Sequence, residues 1–492
     1  MNSIARRTLG CQAGGCLRPV TLLQRQPQAC RLGSSRVVPT QRDISTDSSK
    51  KEELSPLGKH IRDMILVTGP ISIAKYMQLA LNSPIGGYYT RGQVFGKEGD
   101  FVTSPEISQM FGEIVAVWYV MHWEMLGKPP KTTFVELGPG RGTLINDMLR
   151  AAKRFPEFFK TIQCVYLVER SPELRRIQHD TLGCEFVNTR FMADKSGADI
   201  PVKSKIRAHG GSIEVKWHDL LDEVDMAADS APMVIAHEFF DALPVCKFEK
   251  SNSFQWNEIL VDVADSEGQP MDTRTTARLA SSPQSSLSEG AEACNFRFVK
   301  ARNVTANSAV LLHNAAFGSK FNEGDRIETS PESARVMAQV ADWISSRNGM
   351  GLVFDYGQDW TQGDTFRGVK SHKFTNPLSA PGSMDLTADV DFSYLRHVAT
   401  GKAQCHGPIE QGAFLHAMGI QERLKQLLRS TGDEKVQKNL VDCYKRLTDP
   451  HSMGRIYKVL AVLPNRIDKT PTPFASPSKD ELKKLKVEKI VR

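Results

Sequence analysis

Apolar and polar residues follow one another along the chain in the pattern of an α/β fold. From Lys131 onward, short apolar runs that suit strands are followed by amphipathic segments that suit helices. The strand and helix pairs are TTFVELG with TLINDMLRAAKRF and QCVYLVERS with PELRRIQHDTL, and SIEVKWHDL and APMVIAHEFF are further strands. Strands that alternate with helices predict a parallel sheet with right-handed crossovers.

Other patterns flank this α/β stretch. Residues 54–82 predict two helices, and a longer apolar helix is expected to begin near Ser104, with Pro105 in its first turn. Beyond the fourth strand, the pattern predicts in order a β-hairpin, a helix, a strand that rejoins the sheet, two helices and a last strand. These segments are PVCKFEK with FQWNEILVDV, ESARVMAQVADWISSRN, GMGLVFDYG, QERLKQLLRS, LVDCYKRLTD and RIYKVLAVLP.

The patterns divide the chain into six segments. They are a leader at 1–45, a helical region with a lid at 46–130, an α/β core at 131–260, a hairpin, Ser-rich insertion and helix at 261–350, a core strand with substrate loops and helices at 351–464, and a basic tail at 465–492. Residues 264–294 are rich in Ser and poor in large apolar side chains, which is typical of a mobile insertion. The predicted fold class is α/β, with a helical N-terminal region and an inserted α+β region.

Positive charge is concentrated at the N-terminal end. The formal net charge is +7, and residues 1–42 hold seven arginines but no Asp or Glu. Without them, Lys and Arg fall from 63 to 56, which equals the count of Asp and Glu, so the remaining chain predicts no basic face for nucleic acid. An arginine-rich, acid-free segment with Ser and Thr predicts a mitochondrial transit peptide, although a disordered basic tail has a similar composition. No apolar run is long enough to predict a transmembrane segment, and the scattered Cys and His residues predict neither disulfides nor a metal site.

A glycine-rich turn follows the first strand of the α/β core. In FVELGPGRG, Glu136 is followed by Gly138, Gly140 and Gly142. Such a turn is where α/β sheets bind ligands, because glycine leaves the backbone accessible; a tight turn without a ligand is the alternative. A dinucleotide fingerprint would need its third glycine at the position of Thr143, and no GK[ST] sequence completes a phosphate loop.

The pattern E-x-G-x-G-x-G resembles motif I of S-adenosylmethionine-dependent methyltransferases. A carboxylate such as Glu136 suits the ammonium group of this cofactor. A second acid is then expected at the end of the next strand, for the ribose hydroxyl groups, and a third polar residue after strand three, near the adenine. VYLVERS supplies Glu169 and KWHDLL supplies Asp219. Each acid alone could be an ordinary surface carboxylate, but their order along three strand ends favours a methyl-donor site.

Six blocks in succession resemble the MidA-type methyltransferase family. They are GDFVTSPEISQMFGE, VELGPGRGTL, HEFFDALPV, LVFDYG, DLTADVDF and GPIEQGAFL. The resemblance extends from about Leu54 to Pro464, apart from the Ser-rich insertion, and the first and third blocks are more specific than motif I. His237 departs from the family pattern, in which Asn is usual.

The resemblance implies a Rossmann-like class I methyltransferase sheet and S-adenosyl-L-methionine as cofactor. The family includes a mitochondrial complex I assembly factor described as a protein arginine methyltransferase. The resemblance therefore also implies methylation of arginines in a complex I matrix-arm subunit, inside the mitochondrial matrix. The alternatives are a methyltransferase for another protein side chain or a small molecule, and a cofactor-binding assembly chaperone without catalysis.

HEFFDAL places two carboxylates just after the fourth strand, where the methyl group of the cofactor is expected to point. Glu238 and Asp241 are therefore the candidate catalytic residues, because carboxylates can grip a guanidinium group in fork geometry and localise its charge. As alternatives, Asp241 caps a helix and Glu238 holds the cofactor or a loop. No [DN]-P-P-[YFW] sequence, common in enzymes that methylate amide or base nitrogens, occurs here.

Three further groups could line the site. The segment before the sheet could fold back as a lid, or form only a helix cap and a turn. A tyrosine pair could wall the pocket or pack, and an acidic cluster could receive an arginine-bearing segment or be a solvated loop. The residues are Asp100, Thr103, Ser104 and Glu106; Tyr88 and Tyr89; and Asp385, Asp389 and Asp391.

Overall fold

The computed structural model describes residues 54–90, 103–194, 197–206, 213–252, 255–264, 294–312 and 321–475. The leader, the interior of the Ser-rich segment 264–294, Asp100 and the end of the basic tail lie outside the described residues, and so do the predictions made for them. Across the ranges given above, no helix is long and apolar enough to cross a membrane.

The strands and helices of the described ranges are numbered in chain order. The strands are β1 (Ile71–Ser72), β2 (Thr132–Leu137), β3 (Ile162–Val168), β4 (Arg190–Ala193), β5 (Asp199–Ile206), β6 (Ile213–His218), β7 (Ala231–His237), β8 (Cys246–Asn252), β9 (Gln255–Val263), β10 (Phe296–Lys300), β11 (Arg326–Thr329), β12 (Met350–Gln358), β13 (Arg367–Lys370), β14 (Lys373–Thr375), β15 (Asp385–Thr387), β16 (Val390–Asp391), β17 (Ala403–Glu410) and β18 (Tyr457–Pro464). The helices are α1 (Pro56–Thr68), α2 (Ile73–Asn82), α3 (Ser104–Ile107), α4 (Gln109–Met125), α5 (Thr143–Ala152), α6 (Pro156–Phe159), α7 (Pro172–Thr181), α8 (Ala306–Leu312), α9 (Pro331–Arg347), α10 (Phe392–Ala399), α11 (Gln411–Ala417), α12 (Ile420–Arg429), α13 (Glu434–Thr448) and α14 (Met453–Ile456).

The central sheet has the strand order β17-β18-β12-β7-β2-β3-β6-β5-β4. Its five middle strands, β12, β7, β2, β3 and β6, are parallel, as the alternation of strands and helices predicts. β18 runs antiparallel to both of its neighbours, and the β4–β5 hairpin adds antiparallel to β6 at the opposite edge. The α/β prediction is confirmed, but the sheet is mixed rather than parallel, and the β4–β5 hairpin was not among the predicted elements.

The chain reverses the direction in which it adds strands between β2 and β7. From β2 it adds β3 and then β6 on one side, and it later returns to add β7 and β12 on the other side. In an open α/β sheet, the carboxyl ends of the two strands at such a point leave a crevice in which ligands bind. The glycine turn after β2 and the turn after β7, which carries Glu238 and Asp241, both lie at this crevice.

Helices cover both faces of the central sheet. One face packs against α4, α5, α11 and α12 through a core that includes Phe111, Trp118 and Phe414, and the other packs against α9 and α10 through Val336 and Leu395. All six residues of β2 are buried because both faces of the strand are covered. This double cover explains why the central strands have continuous rather than alternating apolar sequences.

A second, antiparallel sheet forms the predicted inserted region. Its order is β1-β9-β8-β11, β10 also pairs antiparallel with β9, and the β8–β9 pair confirms the predicted hairpin. Helices α1 and α2, which confirm the two predicted N-terminal helices, pack on it through Leu57, Ile61 and Tyr76. The glycine-punctuated stretch between β12 and α10 forms a small third sheet with the order β14-β13-β15.

The start of the long apolar helix differs from the prediction. Ser104 does not cap it but is the first residue of the short helix α3. The long helix α4 begins after Ser108, whose hydroxyl oxygen accepts a hydrogen bond from the backbone N–H of Met110 at 3.2 Å. The break between the two helices turns α3 toward the carboxyl edge of the central sheet.

Candidate active site

The glycine turn has the backbone conformation that its sequence predicts. Gly138, Gly140 and Gly142 have φ values of +62°, +52° and +79°, which L-residues with side chains rarely adopt. Gln178 on α7 donates a hydrogen bond to the carbonyl oxygen of Gly140 at 2.7 Å and so ties the turn to the next crossover. A Cβ atom at Gly140 would meet nothing within 4 Å, so the turn faces open space at this residue.

Glu136 lies at the end of β2, with its carboxyl group buried beside the first turn of α5. One side-chain oxygen is reached by the backbone N–H of Ile145, and the other, Oε2, has no hydrogen-bond partner. Burial raises the pKa of Glu136 to about 8, against a smaller opposing effect of the Ile145 hydrogen bond. A buried carboxyl group with a free oxygen suits a ligand that carries a positive charge.

Glu169 and Asp219 follow β3 and β6, and the structure brings them together through Arg175. The Arg175 side chain donates to the carbonyl oxygen of Glu169 at 2.7 Å and to the carboxylate of Asp219. Glu169 also accepts hydrogen bonds from the backbone N–H of Ser171 at 2.7 Å and from Gln178 at 3.3 Å, while burial raises its pKa to about 7. Asp219 differs in being 62% exposed, so its carboxylate lies at the rim of the site.

The turn after β7 is held by the carboxylate of Asp355, which was not among the candidate site residues predicted from the sequence. Asp355, the residue of β12 that follows its last pair with β7, is fully buried, and its Oδ2 accepts hydrogen bonds from the backbone N–H groups of Phe239, Phe240 and Asp241 at 3.2, 3.0 and 3.3 Å. Glu238 begins the turn with a φ value of +50°, a conformation that is uncommon for a residue with a side chain. Asp355 lies in the LVFDYG block, and an acidic residue within an apolar predicted strand was the available signal.

Glu238 lies between the lid segment and the last strand. Its carboxyl group accepts hydrogen bonds from the backbone N–H of Ser104 and the hydroxyl group of Tyr457, but its Oε1 has no hydrogen-bond partner. The Nε2 atom of His237 lies 3.5 Å from that oxygen. Burial, followed by the proximity of Asp241, raises the pKa of Glu238 well above its usual range.

Asp241 faces the same space from the other end of the turn. Its Oδ2 accepts hydrogen bonds from the hydroxyl groups of Tyr356 and of Thr387, the latter at 2.9 Å, whereas its Oδ1 is buried without a partner. Burial raises the pKa of Asp241, and the hydroxyl groups and the Arg367 cation oppose this shift. No helix begins at this turn, so the alternative that Asp241 is a helix cap is wrong.

The described part of the lid segment folds back over the glycine turn. Besides the contact between Ser104 and Glu238, the carboxyl group of Glu106 lies 3.8 Å from the guanidinium group of Arg141, which is in the glycine turn. Thr103 precedes α3 without a side-chain hydrogen bond to its N-terminus. The segment is therefore more than a cap and turn, because α3 closes one side of the site.

The tyrosine pair and the acidic cluster contact each other. Tyr89 donates a hydrogen bond to Asp385 at 3.0 Å, and its ring meets that of Tyr88 edge-on. Asp389 pairs with Arg367 at 2.7 Å, while Asp391 caps α10 through the backbone N–H of Tyr394. Each acid thus has partners of its own, and no group of three or more His, Cys, Asp or Glu within the described ranges is arranged to hold a metal ion.

Unpartnered buried polar atoms accumulate at this edge of the sheet. A buried polar atom without a hydrogen bond is costly, so its presence in a folded protein indicates a missing ligand or water. The atoms at the edge are Oε2 of Glu106, Oε2 of Glu136, Nε2 of His237, Oε1 of Glu238 and Oδ1 of Asp241. Four of the five are carboxyl oxygens, and these acceptors fit the ammonium group of S-adenosyl-L-methionine on the β2 side and a second cation on the β7 side.

Comparisons with known proteins agree with this geometry. A protein-family model described as an S-adenosyl-L-methionine-dependent methyltransferase matches residues 114–409. The chain is 36% identical over 460 residues to the mitochondrial protein arginine methyltransferase NDUFAF7 homolog of Drosophila melanogaster, covering 91% of this chain and 94% of the relative. It is also 36% identical over 423 residues to protein arginine methyltransferase NDUFAF7, mitochondrial, of Homo sapiens, covering 86% of each chain.

Solved structures show a similar fold. A protein from Burkholderia thailandensis, whose crystal structure contains S-adenosyl-homocysteine, superposes with a TM-score of 0.63 at 24% sequence identity. The superposition covers 87% of this chain and 96% of that one. A second, native crystal structure from the same organism gives a TM-score of 0.62.

Proposed function

The chain belongs to the family of S-adenosyl-L-methionine-dependent methyltransferases, and on that premise we propose that it is a class I protein arginine methyltransferase of the mitochondrial matrix, acting on a complex I matrix-arm subunit. The strand order of the central sheet and its reversal between β2 and β7 support the class I assignment. The names of the relatives, which are mitochondrial protein arginine methyltransferases, support the acceptor and the compartment.

One observation favours arginine as the acceptor. Glu238 and Asp241 present two buried, unpartnered carboxyl oxygens from a single turn, at the carboxyl edge of β7. A guanidinium group offers N–H donors in a planar fork and keeps its positive charge at any physiological pH. Two carboxyl groups that each keep one buried oxygen without a hydrogen-bond partner are therefore complementary to this side chain in charge and in geometry.

The cofactor is assigned to the β2 side of the crevice. Glu136 would meet the ammonium group, Glu169 the ribose hydroxyl groups and Asp219 the region of the adenine, while Gly140 leaves the backbone open to the ligand. Gln178 supports this assignment because it connects the glycine turn to Glu169 through hydrogen bonds of 2.7 and 3.3 Å. The acceptor then enters from the β7 and β12 side.

The reaction requires alignment and the removal of one proton. S-adenosyl-L-methionine, when bound, supplies a methyl group whose C–S bond breaks, with the electron pair remaining on sulfur, as the bond to the acceptor nitrogen forms. Glu238 and Asp241 orient the guanidinium group so that one nitrogen points at the methyl group. That nitrogen loses a proton to a carboxylate of the pair, and the proton then passes to water as the methylated, still cationic product leaves.

The direct test combines binding with product analysis. Full-length protein is titrated calorimetrically with S-adenosyl-L-methionine, and it is then incubated with methyl-labelled cofactor and isolated complex I matrix-arm subunits. We expect the label on arginine, identified by mass spectrometry of peptides. Asp241→Asn should bind the cofactor within a few-fold of wild type but lose transfer by at least about 100-fold.

Asp225→Asn is the matched control, because Asp225 is a carboxylate paired with Lys216 outside the crevice. It should retain transfer. Label on another side chain or on a small molecule would contradict the arginine assignment, and tight cofactor binding with no transfer to any subunit would leave the assembly chaperone as the better description. Failure of the folded wild type to bind the cofactor would overturn the proposal as a whole.

A further inference from the structure

Three carboxyl groups lie on the substrate side of the crevice, and ionising all three of them would be unfavourable in free energy. Glu238 and Asp241 lie in one turn and Asp355 lies in β12 next to it; burial raises the pKa of Asp355, and the proximity of Asp241 and of Glu238 raises it further. Like charges at such short range in a poorly solvated site favour the protonated form of at least one group. The question is which of the three carries the negative charge that receives a substrate cation.

Arg367, at the start of β13, supplies a cation next to one of these groups. Its guanidinium carbon lies 5.2 Å from the centre of the Tyr356 ring and 5.1 Å from that of Phe374, so the charged group is held between two aromatic rings. Its Nη1 donates to Asp389 at 2.7 Å and to the carbonyl oxygen of Thr365 at 2.8 Å. The Nε–H group is buried and has no partner, so the guanidinium group retains a donor on the inner side.

Tyr356 connects this cation to the candidate catalytic turn. The ring stacks on Arg367 while the hydroxyl group donates to Asp241, which also accepts a hydrogen bond from Thr387. Arg367 opposes the rise in the pKa of Asp241, whereas the largest electrostatic influence on Glu238 is the repulsion by Asp241. The charged and titratable groups that face Asp241 are the acids Glu238 and Asp355, the tyrosines Tyr89, Tyr356 and Tyr457, and the cation Arg367.

We propose that Arg367 is a positioning residue that holds Asp241 as the ionised carboxylate of the site, so that Asp241 is the anion that receives the substrate guanidinium. Glu238 is then the neutral member of the pair before substrate enters, and it contributes an acceptor oxygen rather than a charge. The stacked position between two rings keeps Arg367 close to Asp241 without a direct ion pair, which leaves the Oδ1 atom of Asp241 free for the substrate. The assignment of a substrate cation rests on the proposed function, but the charge state of Asp241 does not.

Infrared difference spectroscopy of the full-length protein at neutral pH tests the charge state without any turnover, because protonated and ionised carboxyl groups absorb in separate bands. The spectrum of wild type minus Asp241→Asn should show the loss of an ionised band only. In an Arg367→Met background, the same substitution should remove a protonated band. Arg367→Lys, which keeps the positive charge, should behave as wild type, and so should Arg396→Met, which removes a cation paired with Asp359 elsewhere.

Activity provides the second readout. In Arg367→Met, the acid limb of the pH profile of kcat/KM should move upward by about one to three pH units, the range by which a neighbouring opposite charge lowers a carboxyl pKa. High pH should restore the rate. If Arg367→Met does not fold, Phe374→Ala replaces it, because the Phe374 ring is 67% exposed and its loss opens the guanidinium group to water; it should move the limb in the same direction by a smaller amount.

Two results would overturn the inference. One is a protonated Asp241 band in the wild-type background, and the other is an Arg367→Met protein that is folded and has unchanged bands and an unchanged acid limb. A protein that shows the expected bands but methylates no arginine would instead contradict the proposed function and leave the charge assignment in place. The two failures are therefore distinguishable.

Discussion

The carboxylate of Asp355 accepts a hydrogen bond from the backbone N–H of Phe240 at 3.0 Å, although the two residues are 115 positions apart in the sequence. The same oxygen accepts hydrogen bonds from the neighbouring N–H groups of Phe239 and Asp241. One buried side chain on β12 thus fixes the turn that carries both candidate catalytic carboxylates after β7. The shape of the candidate acceptor site therefore depends on this contact between β12 and the turn after β7.

Replacing Asp355 should separate acceptor chemistry from cofactor binding. Asp355→Leu leaves three buried N–H groups without an acceptor, at about 1–3 kcal/mol for each group that stays unsatisfied. Asp355→Asn retains an acceptor oxygen and should lose less stability. We expect methyl transfer to fall far more than cofactor affinity in the Leu variant, as measured by urea unfolding, calorimetry and transfer assays. Equal losses of transfer in the two variants would show that the carboxylate has a role other than holding the turn.

Gly140→Ala should abolish cofactor binding because the added methyl group would take up space that the cofactor needs. The free protein has nothing within 4 Å of the added methyl group, so only the positive φ value, at about 1–2 kcal/mol, affects folding. Gly401 also has a positive φ value and open space, but it lies outside the crevice. Gly401→Ala should therefore lose similar stability and bind the cofactor normally. Unimpaired binding by folded Gly140→Ala would place the cofactor elsewhere.

Cofactor affinity should rise with pH up to about pH 8. Burial raises the pKa of Glu136 to about 8, and an ammonium group binds best to the ionised carboxylate, so protons should be released on binding at lower pH. Calorimetry in buffers with different ionisation enthalpies measures this proton release directly. Binding without proton release at pH 7 would show that Glu136 is already ionised, or that it does not meet the cofactor.

The ionised form of Glu136 should lower the free energy of unfolding of the cofactor-free protein. Because the folded pKa of about 8 lies above the ordinary value of 4.5, the folded protein loses stability relative to the unfolded chain as pH rises between these values. Glu136→Gln should raise the free energy of unfolding above pH 8, by at most about 5 kcal/mol, while weakening cofactor binding. Denaturant unfolding at pH 6 and pH 9 provides the comparison, and a Gln variant that is less stable than wild type at both pH values would refute the prediction.

Asp219 should contribute less than Arg175 to stability and to cofactor affinity. Asp219 is 62% exposed, so Asp219→Asn should change stability by less than about 1 kcal/mol and weaken cofactor binding by no more than about tenfold. The Arg175 side chain is only 4% exposed and joins the ends of β3 and β6, so Arg175→Met should disturb Glu169 and lower both stability and affinity. A larger loss of affinity in Asp219→Asn than in Arg175→Met would assign Asp219 a direct and strong contact with the cofactor.

The candidate cofactor residues could be predicted from the sequence. Strands with continuous apolar sequences must be covered on both faces, which requires a central sheet with helices on either side. The carboxyl ends of its parallel strands lie at one edge, so Glu136, Glu169 and Asp219 had to approach one another once their strands were recognised. The glycine turn and the pair Glu238 and Asp241 belong to the same reasoning, because each directly follows a predicted strand.

How the carboxylates are supported became visible only in the assembled fold. Asp355 on β12 and Tyr457 on β18 reach the turn after β7 from more than a hundred positions away in the sequence. Arg367 stacks on Tyr356, which is near it in the sequence, but its approach to Asp241 is again long-range, and no short-range pattern announces these contacts. The direction of β18 is also set by a non-local pairing, because its partner β12 lies far away in the sequence. The β4–β5 hairpin, in contrast, pairs residues that are close in the sequence. Local periodicity specifies which face of an element is buried, whereas the partner of a buried polar group depends on the assembled fold.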